Sequence, residues 1–186
     1  MTEIDQQVRP WQRDILQAFE RADIRHVAYV PDGGHQGLIG LCQQASRIGM
    51  TVLTTEEEGI ALVTGLWLGG VKSALLMQSS GVGNCINMLT LAENCRIPLV
   101  MLITMRGEWG EFVPWQVAMG RRTPAVLETM GVDVYRCDRA EDVGPTVAAG
   151  LDHAYFSDRS VAVLLSQRLI GAKNWAAARS DGSNAK

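Results

Sequence analysis

Apolar and polar positions switch between two periods along this chain. Val8, Trp11, Ile15, Leu16 and Phe19 recur at helical spacing and predict a helix over residues 8–22. Residues 26–30 form a short β-type run that stops at Pro31-Asp32-Gly33-Gly34, a turn sequence. A helix over about 35–47 and a strand at 51–53 come next. Residues 54–69 then open on Glu56, Glu57 and Glu58 and continue with Ile60, Leu62, Val63, Leu66 and Trp67, a helix apolar on nearly every side. Such a helix is expected to be buried. A strand at 74–77, a glycine-rich loop at 79–84 and a helix at 85–93 follow.

Residues 98–104 are a near-continuous apolar run, as in a parallel strand covered on both faces. No period is visible over 105–122, which hold Trp109 and Trp115. The remaining pattern gives a helix at 123–130, a strand at 132–136, a helix at 139–156 and a strand at 161–165. Strand and helix alternating six times predict an α/β fold: a single three-layer domain with an open, mostly parallel six-stranded sheet and helices on both faces. Residues 1–170 would form that domain and 171–186 a flexible C-terminal tail.

The strand ends focus attention on one edge. Ligands of open parallel sheets gather beyond the carboxyl ends of the strands. The polar clusters at 32–35, 54–56, 78–84 and 106–122 all fall there.

Composition narrows the class. Of 186 residues, 47% are hydrophobic and 20% charged, which describes a globular chain. Lys72 interrupts the longest apolar region, so no membrane-spanning segment is expected. The first residues lack the basic and apolar blocks of a secretory signal. A net charge of −3 with scattered arginines leaves no footprint for nucleic acid. The expectation is a soluble cytoplasmic protein with neither membrane nor nucleic-acid partner. Cys42, Cys85, Cys95 and Cys137 lie far apart in apolar surroundings and read as small buried hydrophobes, so the chain alone builds no metal site.

Candidate chemistry sits in the clusters. Thr54 or Thr55 can cap the helix that Glu56 opens, and an acidic first turn suits the helix dipole, so the three glutamates could be capping alone. The loop Ser79-Ser80-Gly81-Val82-Gly83-Asn84 changes that balance, because its glycines allow backbone N–H groups to approach a ligand. It is neither a dinucleotide fingerprint nor a P-loop. Gln78, Ser79, Ser80 and Asn84 either line a cleft or serve the turn. Asp32 could bind a ligand or cap the next helix. His35, in a strand-end loop, is the candidate for proton transfer or anion contact, with a surface histidine as the alternative; His26 and His153 read as structural. Arg106 and Arg121 could hold an anionic group, or pair with Glu108 or Glu111. Trp109 and Trp115 read as interface or lid residues.

These residues resemble a family. Glu56 nine positions before Gly65, with a Ser-Gly-x-Gly-Asn turn after the next strand, resembles the pyrimidine-binding domain of thiamine-diphosphate-dependent decarboxylases. Thr-x-Glu-Glu-Glu-Gly at 54–59 and Leu-Met-Gln-Ser-Ser-Gly-Val-Gly-Asn at 76–84 are most similar to sulfopyruvate decarboxylase alpha subunits, with phosphonopyruvate decarboxylases close by. Tyr-Val-Pro-Asp at 29–32 and Met-Arg-Gly-Glu at 105–108 with Pro114, Gln116 and Gly120-Arg121 agree. The resemblance implies that Glu56 hydrogen-bonds the cofactor's aminopyrimidine N1′, so that the adjacent amino group can take the thiazolium C2 proton. A buried Glu56 with a raised pKa would suit that task. Gln78, Ser79, Ser80, Gly81 and Asn84 would lie on the cofactor side. Asp32, His35, Arg106 and Arg121 would face a small anionic 2-oxo acid. The family also needs a diphosphate-binding domain with Gly-Asp-Gly and an Asn-containing metal loop, for which this chain has no room. A separate beta subunit is therefore expected to complete the thiamine diphosphate and Mg²⁺ site in a hetero-oligomer.

Overall fold

A computed structural model describes residues 8–171. Its six strands are β1 (His26–Tyr29), β2 (Gly49–Val52), β3 (Ser73–Gln78), β4 (Leu99–Thr104), β5 (Asp133–Cys137) and β6 (Ser160–Leu165). They form one sheet in the order β2-β1-β3-β4-β6-β5, every neighbouring pair parallel. The helices are α1 (Pro10–Arg21), α2 (Gln36–Gln44), α3 (Glu56–Leu68), α4 (Val82–Asn94), α5 (Pro114–Thr129), α6 (Ala140–Ser157) and the short α7 (Gln167–Ile170).

Strand alternation divides the core in two. Val27, Leu76, Val100, Leu102 and Val163 point to one face, which Ile15 and Phe19 of α1, Leu38 of α2 and Val147 of α6 cover. Ala28, Leu75, Met77, Met101 and Leu164 point to the other, under Ile60 of α3, Leu89 of α4 and Leu127 of α5. All six residues of β4 and all six of β6 are buried, because helices lie on both sides. The three-layer expectation holds, and the sheet is wholly rather than mostly parallel.

Several local expectations need correction. α5 starts at Pro114, inside the stretch without visible period. It buries only Gly120, Thr123 and Leu127, too few apolar positions to print a stripe. α3 is not buried all round: Gly59, Ile60 and Val63 are, while Leu68 is 76% exposed. Neither threonine caps α3 with its side chain. Thr55 occupies the N-cap without a side-chain bond, and the Thr54 N–H donates to the Glu58 carboxylate instead (2.9 Å). Cys95 is exposed, whereas the other three cysteines are buried. The tail expected at 171–186 lies, but for Gly171, outside the described residues. No helix among the described residues is long and apolar enough to cross a membrane.

α5 is pressed against the loop that leaves β4 through glycines. A Cβ on Gly120 would overlap the Arg106 carbonyl, and Gly107 has a φ of +77°. Backbone against backbone cannot yield as a flexible side chain can. Gly120→Ala should therefore cost roughly 2 kcal/mol or more, read as a fall in the denaturant midpoint; an unchanged midpoint would show that the loop is free to move.

Candidate active site

The strand order places a switch point between β1 and β3: the chain leaves β1 toward β2 on one side and returns as β3 on the other. A crevice at the carboxyl ends of such strands is where this architecture binds ligands. One carboxylate stitches the ends together. Asp32, just beyond β1, accepts Gln78 Nε2 at 2.8 Å on Oδ1, and Thr104 Oγ1 at 2.6 Å and the Gly34 N–H at 3.0 Å on Oδ2. Burial alone would raise its pKa. The field of the His35 ring and the three donors outweigh burial and hold it below the usual carboxylate value. Gln78 Oε1 in turn accepts the Ser80 hydroxyl (2.9 Å), so the Gln78 amide is oriented from both ends.

Glu56 opens α3 beside this stitch. Its Oε2 accepts Asn84 Nδ2 at 2.9 Å, and a Cβ on Gly81 would overlap its carboxyl group. Oε1 receives no hydrogen bond from any described residue. Glu57 and Glu58 are exposed, while Glu56 is half-buried rather than fully sheltered, so this chain alone does not supply the burial expected of it. The loop beneath is anchored at Ser79, whose Oγ accepts the Arg106 N–H (3.0 Å) and whose carbonyl accepts Thr123 Oγ1 (3.4 Å). Ser80 is exposed at the edge. Asp32, Gln78, Ser79, Ser80, Gly81, Asn84 and Glu56 thus lie along one edge. An open cavity of about 510 Å³, lined by Tyr29, Pro31, Gln36, Ile39 and Gln43, reaches Asp32 from the α2 side and does not include Glu56.

Three expected site residues are placed elsewhere. His35 is wholly buried, and its Nε2 lies 3.2 Å from the Met77 carbonyl and 3.0 Å from that of Leu102. Burial lowers its pKa. The buried ring pins β3 to β4 and has no access for proton transfer or anion contact. Arg106 forms a two-pronged pair with Glu111 (Nε–Oε2 2.7 Å, Nη2–Oε1 2.8 Å), the pairing alternative, and is itself buried. Arg121 is exposed on α5, away from the side that carries Gly120, Thr123 and Leu127. The Arg106 guanidinium is thus taken up within the chain.

Thr104 and Gln167 were not singled out from the sequence. Thr104 was legible as the residue at the carboxyl end of β4. Glu111 was named only as a possible partner of the arginines, because a loop without period gives no sign of its other donors. Among the described residues no group of three side chains could hold a metal ion.

No family model matches the sequence. Over 151 residues, 81% of this chain and 89% of the relative, it is 30% identical to sulfopyruvate decarboxylase subunit alpha of Methanocaldococcus jannaschii. The chain belongs to the sulfopyruvate decarboxylase alpha-subunit family. Longer relatives share part of it: this chain is 42% identical to a sulfopyruvate decarboxylase of Methanosarcina acetivorans over 81 residues, 21% of that protein. The figure is also 42% over 78 residues for a phosphonopyruvate decarboxylase of Streptomyces viridochromogenes, 20% of its length. The fold matches a 2-oxoglutarate:ferredoxin oxidoreductase from Magnetococcus marinus (TM-score 0.72, 14% identity, 86% of this chain and 29% of that one). It also matches benzoylformate decarboxylase from Polynucleobacter necessarius (TM-score 0.65, 16% identity, 90% and 31%).

Glu111 offers a direct test of the loop. Its pair with Arg106 pulls its pKa from the ordinary 4.5 to about 2. Stability from this depressed pKa is present above 4.5 and is lost as pH falls from there toward 2. Glu111→Gln should remove that part of the acid dependence and, by stranding buried Arg106, cost roughly 3 kcal/mol at neutral pH. Denaturant midpoints from pH 3 to 7 check this; a variant that keeps the wild-type profile contradicts it.

Proposed function

We propose that this chain is the alpha subunit of a split thiamine-diphosphate-dependent decarboxylase that converts sulfopyruvate to sulfoacetaldehyde and CO2. One observation carries the reading: in a member of this family, Glu56 rests over a bare glycine at the switch-point edge, held on one oxygen by Asn84 and open on the other. The residues fit the cofactor. A carboxyl group with one unengaged oxygen can share a proton with a ring nitrogen, and the missing side chain at Gly81 is what lets that carboxyl lie against the loop. When bound, thiamine diphosphate supplies the electron sink that makes CO2 loss feasible.

The chain's own residues then have separate tasks. Glu56 Oε1 would share a proton with the pyrimidine N1′, and Asn84 would keep the carboxyl group from swinging into solvent. Gln78, Ser79, Ser80 and Gly81 line the cofactor side. Asp32 lies on the substrate side and also fixes the Gln78 amide. The partner is a diphosphate-binding beta subunit that brings the Mg²⁺ site and covers Glu56, supplying the shelter this chain lacks. It also supplies cations for the two acidic ends of the substrate, since Arg106 is paired with Glu111. A cytoplasmic setting suits a chain with four free cysteines.

Phosphonopyruvate is the second reading, favoured by the equal 42% identity to the Streptomyces enzyme. Co-expression with the beta subunit, followed by CO2 release from each acid with thiamine diphosphate and Mg²⁺, separates the two. Sulfopyruvate should be the better substrate by kcat/KM. Glu56→Gln should fold and still bind cofactor but lose at least about 100-fold in turnover; near-normal rates would remove Glu56 from its role.

A further inference from the structure

We propose that Trp109 and Trp115 are a preformed anchor on which the partner chain docks. The inference rests on the split-enzyme reading and names the surface by which its second half is captured. Trp109 is 46% and Trp115 75% exposed, and neither indole N–H has a hydrogen-bond partner among the described residues. Phe112, between them in sequence, is also 46% exposed; several large apolar side chains on one short segment can mark an interaction site, and a tryptophan offers an apolar body together with one polar donor.

The loop that carries them is built to stay in place. The Glu111 side chain, 2% exposed, accepts from Arg106 Nε and Nη2, from the N–H groups of Gly107, Phe112 and Val113, and from Gln167 Nε2. Gln167 Oε1 accepts the N–H of Glu108 and of Trp109 itself, both at 2.9 Å. Gly107 and Gly110 take the left-handed bends, with φ of +77° and +60°. Trp115 follows Pro114 in the first turn of α5. An anchor held in its final shape loses little freedom on docking, which is what lets a few aromatic residues dominate an interface.

Position and charge identify the occupant. The root of the loop is bonded to the glycine turn, Arg106 N–H to Ser79 Oγ, and that turn supports Glu56. Whatever rests on the tryptophans therefore arrives at the edge of the cofactor site. The loop's charges are satisfied within the chain, Arg106 by Glu111 and Arg136 by Glu108 (2.5 Å), so the partner meets an apolar rather than an ionic surface. The relatives that this chain matches along most of their length are named subunit alpha, a name that implies a second subunit. A second copy would bring only the same half-site, whereas the second subunit brings what is missing. Its receiving surface should be an apolar pocket with carbonyl or carboxylate acceptors for the indole N–H groups.

The test is titration of the full chain with the beta subunit by calorimetry, with sedimentation and CO2 release alongside. Trp115→Ala should weaken association about 30-fold or more, and Trp109→Ala about tenfold, with thermal melts of the free chain unchanged. Loss of association with an unchanged melt supports the anchor. Should the alanine variants unfold, Trp109→Phe with Trp115→Phe keeps the apolar body and removes the donors, and several-fold weakening is then expected. Wild-type affinity in a folded double variant, alanine or phenylalanine, overturns the anchor while leaving the decarboxylase reading intact. Self-association of the chain that the double variant abolishes overturns the assigned occupant. A wild-type chain that neither binds the beta subunit nor releases CO2 with it overturns both.

Discussion

A carboxylate can lie against the turn of a neighbouring loop only where the opposing backbone carries no side chain. Gly81 meets that condition, and the rest of the site follows from it. Parallel β1 and β3 bring the start of α3 and the loop after β3 to the same edge. The missing Cβ then lets Glu56 settle over the loop, where Asn84 takes one of its oxygens. A methyl group at residue 81 would push the carboxyl group off the loop.

Carboxylates in this fold divide by how completely they are satisfied. Asp32 receives three donors and ties the ends of β1, β3 and β4; Glu111 receives six and fixes the loop into α5. Both have depressed pKa values, and both stabilise the fold as anions. Glu56 has one donor and an open oxygen. A saturated carboxylate has nothing left to offer a ligand, so the incompletely bonded one is the candidate for chemistry.

What the sequence disclosed depended on how local the physics was. The runs at 98–104 and 161–165 read as strands because helices on both faces require continuous apolar residues. Glu56 and the glycine loop were legible because their spacing is short and their composition unusual. His35 was misread because the carbonyls that hold it lie 42 and 67 residues away. Arg106 kept its alternative open until the fold closed the loop on Glu111. α3 is the instructive failure: an apolar helix does predict burial, but the pattern cannot say whether its own chain or another one covers it. Exposed Leu68 belongs to that second case in the proposed assembly.

The most direct measurement is a crystal structure of the chain with its beta subunit and thiamine diphosphate bound. The account predicts Glu56 covered at the junction of the two chains, with a carboxylate oxygen about 3 Å from the pyrimidine N1′. A cofactor whose N1′ pairs with a different acid, or a Glu56 left in solvent away from the junction, would contradict it.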